Sequence, residues 1–195
     1  MALLARARAK APDGGYIPDW LASVKPLLPE IRRRGIRLVT NSGGMNPLAC
    51  RDAFLAAAGE AGLDFKVAVV TGDDLTPFAQ DIQAAQPAEM FSGAPLPEAF
   101  ASLNAYLGAT AIAQALSGGA DVVITGRVVD SAMVLGPLMH EFGWKADDYD
   151  LLSAGSLAGH ILECGAQATG GLHTDWRDVP DWENIGYPVA ECFSD

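Results

Sequence analysis

Three short apolar runs, each closing on a threonine and a small polar turn, decide what class of fold this chain can adopt. They are Ile36–Thr40, Lys66–Thr71 and Val122–Thr125. Asn41-Ser42-Gly43-Gly44 follows the first, Gly72-Asp73-Asp74 the second and Gly126-Arg127 the third, and a helix-like pattern comes after each turn. Apolar runs without alternation are what strands covered on both faces look like. A helix between successive strands lets them run parallel, because parallel strands need a crossover. The pattern predicts an α/β fold: a mostly parallel sheet with helices on both faces, a Rossmann-like three-layer arrangement, in one domain over residues 1–195. The three strands are expected to be parallel neighbours.

The helices are read from their punctuation. Ala2–Lys10 is helix-like and ends at the breaker cluster Pro12-Asp13-Gly14-Gly15. Pro18–Arg34 is predicted helical with a kink or break at Pro26 and Pro29, ending at Gly35. Asn46-Pro47 is a helix start, an Asn cap followed by Pro at the first position. Further helices are expected at Pro77–Ala85, Leu103–Leu116, from about Asp130 to Phe142, and over Leu157–Thr169. Gly155 and Gly159, four apart, predict a close-packing helix face. Both ends of the chain read as interruptions of a fold. No strand precedes the first helix-like run, and Pro188–Asp195 reads as a strand with no partner. The domain is therefore expected to be incomplete, and the isolated chain to be less stable than a longer relative and to associate.

Composition narrows the function. Half of the residues (50%) are hydrophobic, so the chain can bury a core. A formal net charge of −11 argues against a nucleic-acid surface, which needs clustered Lys and Arg. The one basic cluster, Arg32-Arg33-Arg34, falls where a helix should end, and cations favour that end of the dipole. Three cysteines at wide spacing, Cys50, Cys164 and Cys192, suit a reduced, cytoplasmic protein. No segment is apolar for long enough to cross a membrane.

The turns after the strands are where a ligand site belongs. In an open parallel sheet, ligands bind beyond the carboxyl ends of the strands, where backbone amides and helix N-termini converge. Gly43 and Gly44 allow close backbone approach, and Arg127 can clamp an oxyanion. The alternative is that Gly, Asn and Asp are there as ordinary turn residues. The candidate ligand-binding set is Asn41, Ser42, Gly43, Gly44, Asn46, Gly72, Asp73, Gly126, Arg127 and Asp130. No Walker loop and no G-x-G-x-x-G is present, so no nucleotide cofactor is assigned. A second constellation is His160-Ile161-Leu162-Glu163-Cys164. On a helix, 160, 163 and 164 share a face. His160 and Glu163 are the candidate acid–base pair, and Cys164 is a nucleophile only if its thiol pKa is lowered. Equally, His160 is a core residue and Glu163 a solvated carboxylate. H-E-x-x-H is absent, and no metal site is assigned.

Four blocks resemble the acyclic terpene utilisation (AtuA-like) family, in order and at similar spacing over most of the chain. They are Leu38–Pro47, Val69–Asp74, Ile124–Ser131 and Ala158–Gly171. The resemblance implies a role in the breakdown of acyclic terpenes such as citronellol and geraniol through CoA thioesters. It also implies a longer domain, with a glycine-rich strand and turn ahead of position 1 and more sheet beyond position 195. The reaction and the cofactor are left open. The expected partner is a small anionic or acyl-CoA ligand, with self-association or other subunits of the same pathway. The alternatives are a non-catalytic binding or assembly subunit, in which the glycine-rich helix is an interface, and an inactive truncated remnant.

Overall fold

The strands in the computed structural model are β1 (Leu38–Thr40), β2 (Val67–Val70) and β3 (Val122–Thr125). The structure describes residues 2–194. Met1 and Asp195, at the outer ends of the expected first helix and last strand, lie outside them. All three strands are parallel and form one sheet in the order β1–β3–β2. The expectation of parallel neighbours in one sheet is met, with β3 as the shared neighbour: β1 and β2 each pair with β3, not with one another. The reason is burial. β3 is buried at every position, whereas β1 and β2 are fully buried only at their last residue. Full burial of one Val or Ile is worth roughly 1.5–3 kcal/mol, so Val122-Val123-Ile124 belongs at the centre. The register sets Leu38 and Val67 on either side of Val122.

The chain divides into two compact units, one of residues 1–107 and 119–128, the other of residues 108–118 and 129–195. The first holds the sheet. Its helices are α1 (Ala2–Lys10), α2 (Pro18–Val24), α3 (Leu28–Arg34), α4 (Pro47–Glu60) and α5 (Ala79–Ala84). A 3₁₀ turn over Lys25–Leu27 separates α2 from α3, as Pro26, which lacks an N–H, requires. Gly35 ends α3 at φ +65°, and Arg32, Arg33 and Arg34 are its last turn. Arg32 lies 3.4 Å from the Asp121 carboxylate and its guanidinium stands over the Phe65 ring. The cluster is thus used in folding.

The core of this unit forms where α4 lays Cys50, Phe54, Ala57 and Ala58 over Val122 and Ile124 of β3. That i, i+4, i+7, i+8 spacing is the buried stripe of an amphipathic helix. Phe54 is stacked on Trp20 (5.9 Å between centroids) and meets Phe65 edge-on at 5.5 Å. Burial pushes the Cys50 thiol up to about 11, so it serves as a small apolar residue.

The second unit is helical. It contains α6 (Thr110–Ser117), α7 (Ala132–Phe142) and α8 (Tyr149–Leu162). α7 packs against both α6 and α8. Gly155 and Gly159 do form a close-packing face: a Cβ at Gly159 would lie 2.5 Å from the Ser131 carbonyl oxygen. Within this unit the face is packed on Leu135, Leu138, Trp144 and Ser131. α6 starts at Thr110, not at Leu103. Leu103–Leu107 is instead extended and, within the first unit, bonds to the turns beyond the strands. α8 begins eight residues earlier than expected and stops at Leu162, so Cys164 is off the helix. Pro188–Phe193 forms no strand; Val189 is 95% exposed. Pro188 has no N–H to give to a ladder. Among the described residues, no helix is long and apolar enough to cross a membrane.

Candidate functional site

At the carboxyl edge of the sheet, the turns after β2 and β3 are joined through Asp73. This carboxylate is only 4% exposed. Its Oδ2 accepts from the backbone N–H of Arg127 (2.8 Å) and from Asn104 Nδ2 (3.0 Å). Its own carbonyl accepts from Ala105 N (2.8 Å). Position 126 must be glycine, because a Cβ there would overlap the Asp73 carboxylate. A buried carboxylate is costly unless hydrogen-bonded, and these bonds meet that requirement. The same bonds tie the turn after β2 to the turn after β3.

The turn after β1 is held from below. Thr40 Oγ1 donates to Ser42 Oγ (2.8 Å) and accepts from Ser42 N (3.1 Å). A Cβ at Gly43 would run into the Thr125 carbonyl, so this turn sits down on the end of β3. Gly44, at φ +52°, disfavours a Cβ as well, which would lie 2.9 Å from the Gly15 carbonyl oxygen. Its N–H donates to the Asn41 carbonyl (3.1 Å). Asn46 caps α4 through Oδ1, which accepts from Ala49 N (3.3 Å), and donates from Nδ2 to the carbonyls of Pro12 and Gly14 (both 2.9 Å). It pins the chain before α2 to the start of α4.

Between these turns lies a cleft of about 170 Å³. It is lined by Gly44, Asn46, Gly72 and Asp73 of the sequence-derived set and by Arg8, Asp74 and Asn104, among others. Asn41, Ser42, Gly43, Gly126 and Arg127 do not line it, although Arg127 is joined to it through Asp73. Arg8 reaches in from α1, donating to the Met45 carbonyl (2.8 Å) and to Asp74 Oδ2 (3.3 Å). Burial works to raise the Asp74 pKa. Hydrogen bonds from Thr76 and the Arg8 guanidinium together outweigh it and hold the carboxyl below its usual range. The Arg127 guanidinium stands 4.5 Å over the Tyr106 ring.

Arg8, Asn104 and Tyr106 were not legible as site residues. Arg8 reads as one charge on a polar helix. Asn104 and Tyr106 fall in an Ala-rich stretch whose composition favours helix.

Asp130, His160 and Glu163 belong to the second unit. His160 and Glu163 are both exposed, His160 in the last turn of α8 and Glu163 just past it. Glu163 Oε1 accepts from Cys164 Sγ (2.8 Å). That bond, followed by burial and the charges of Glu163 and Asp130, raises the Cys164 thiol pKa. The condition for a nucleophilic Cys164 is therefore not met. Among the described residues, no group of three or more His, Cys, Asp or Glu side chains is placed to hold a metal ion.

The family model of acyclic terpene utilisation family protein AtuA matches residues 1–195. The chain belongs to the AtuA family. Its family thus connects it with acyclic terpene utilisation. Neither the curated proteins nor the solved structures include a match.

Proposed function

We propose that this AtuA-family chain handles a branched acyl-CoA or the related carboxylic acid during acyclic terpene breakdown, and that the polar end of the ligand meets the carboxyl edge of the sheet. The observation that carries this reading is the Asp73 junction, which ties two strand-end turns together beside a cleft that a third turn also lines. The parallel sheet supports a Rossmann-like layer, in which that edge is the ligand edge. At about 170 Å³ the cleft is smaller than the ~300–1,000 Å³ of pockets that enclose a whole ligand. It suits a carboxyl or thioester head, with Arg8 in its lining and Arg127 tied to it through Asp73. His160 and Glu163 are carried forward as the acid–base pair. The free thiols of Cys50, Cys164 and Cys192 support a cytoplasmic setting.

Calorimetric titration with a geranyl-type acyl-CoA, its free acid and coenzyme A tests the reading. Binding of the thioester or the acid, weakened by Arg8→Ala by more than the small loss of thermal stability that variant brings, is the expected result. No binding of any of the three would overturn it.

A second reading, a non-catalytic assembly subunit, is favoured by Leu157 (63% exposed) and Ile161 (54% exposed), one turn apart on α8. Self-association abolished by Leu157→Glu, with no ligand bound, would favour it.

A further inference from the structure

Leu103–Leu107 is a strap laid over the strand-end turns. Leu103 accepts from Leu75 N (2.7 Å), Ala105 donates to the Asp73 carbonyl (2.8 Å) and Leu107 donates to the Arg127 carbonyl (3.2 Å). Asn104 adds a side-chain bond to Asp73 (3.0 Å). The strap therefore delivers Tyr106 to Arg127. Tyr106 is 62% exposed, so burial alone does not account for its place. Among the contacts of Arg127, its N–H donates to Asp73, its carbonyl accepts from Leu107 and its guanidinium stands over the Tyr106 ring at 4.5 Å. A guanidinium held over an aromatic face by a cation–π contact loses rotamer freedom, and its planar fork of N–H groups is the geometry that grips an oxyanion bidentately. Fixing it in advance removes part of the ordering cost of binding.

We propose that Tyr106 is a positioning residue that orients Arg127 to take an oxyanion of the ligand, a carboxylate or a CoA phosphate. The proposal rests on the ligand site proposed above, and the experiment separates the two. Tyr106→Leu removes the ring but keeps apolar bulk, and Tyr106→Phe keeps the ring. Each is compared with the unmodified chain in two measurements. One is the rate at which phenylglyoxal modifies Arg127, read by peptide mass spectrometry without ligand. The other is titration with coenzyme A, the branched C10 acid and their thioester, which shows whether phosphate or carboxylate is the anion taken.

Tyr106→Leu should raise the labelling rate and weaken binding, each by about two- to fivefold, the scale of one exposed cation–π contact. Tyr106→Phe should change neither. In an Arg127→Ala background, Tyr106→Leu should have no further effect on binding. Labelling and binding in Tyr106→Leu equal to those of the unmodified chain would overturn the proposal. Faster labelling in Tyr106→Leu with none of the three probes bound by the unmodified chain would support the Tyr106–Arg127 positioning while overturning the ligand site.

Discussion

Asp74 shows how a single side chain near the cleft earns its ionisation. Both of its carboxylate oxygens are used, Oδ1 by Thr76 N (3.0 Å) and Oδ2 by Arg8 (3.3 Å), and these bonds prevail over burial to lower its pKa. A carboxyl whose folded pKa lies below its unfolded value of ~3.9 contributes stability above that value and loses it as pH falls through the folded pKa. Asp74 should therefore contribute evenly from neutral pH down to about 4 and progressively less below. The two partners are 45% and 36% exposed, so the pair is worth no more than about 0.2–1 kcal/mol. Asp74→Asn should be slightly less stable than the unmodified chain at pH 7, and by a smaller margin at pH 3. Urea titrations at both pH values measure this. An equal gap at the two would mean that the charge of Asp74 contributes nothing.

At the scale of elements, two glycines in helices give opposite expectations for the same substitution. Gly159 in α8 faces the Ser131 backbone, its carbonyl oxygen 2.5 Å and its Cα 2.9 Å from where a Cβ would stand. Backbone cannot rotate away, so Gly159→Ala should push α8 off the start of α7 and cost roughly 1–3 kcal/mol. Gly59 in α4 has nothing within 4 Å of the same point. Gly59→Ala should stabilise by about 0.4–1 kcal/mol. Thermal melts of the two variants would settle it, and equal shifts of the same sign would contradict the packing argument. The Gly155–Gly159 face was legible because small residues four apart on a helix have one physical use. So were the Asn46 cap, the break at Pro26 and the Gly35 stop, all of them local chemistry. The strap was not. Leu103–Leu107 has the composition of a helix, and it is extended because the carbonyls of Asp73 and Arg127, distant in sequence, accept its N–H groups. Tertiary pairing overrides propensity there. The pairing partner of each strand was hidden for the same reason. Apolar runs identify strands, but only full burial of Val122–Thr125 puts the last strand of the three in the centre. The candidate site was half legible. The turns are marked by Gly, Asn and Asp, while Arg8, Asn104 and Tyr106 reach them only through the fold.

For the whole molecule, the consequence of that strand order is a unit assembled from separated stretches of chain. Residues 1–107 supply β1, β2 and all five helices of the first unit, yet its central strand arrives only at residues 122–125. β1 and β2 share no hydrogen bond with each other. The core under α4 likewise includes Val122 and Ile124, both fully buried. A chain cut after Leu107 loses every ladder bond of the sheet and uncovers the apolar faces of Phe54 and Cys50. Losing Val122 and Ile124 alone withdraws about 3–6 kcal/mol of burial, taking each at its full value. That is much of the 5–15 kcal/mol by which a domain is stable. The helices carry little by themselves, since α2, α3 and α5 are each seven residues or shorter and isolated helices below about 12–15 residues are marginal in water. The 1–107 chain should therefore show no cooperative urea transition. A chain carrying residues 1–107 joined by a short glycine linker to 119–128 should recover one, because it restores β3 between its two partners. Circular dichroism followed through urea unfolding distinguishes them. A cooperative transition in the 1–107 chain alone would show that α4 and its partners form a core that does not depend on β3.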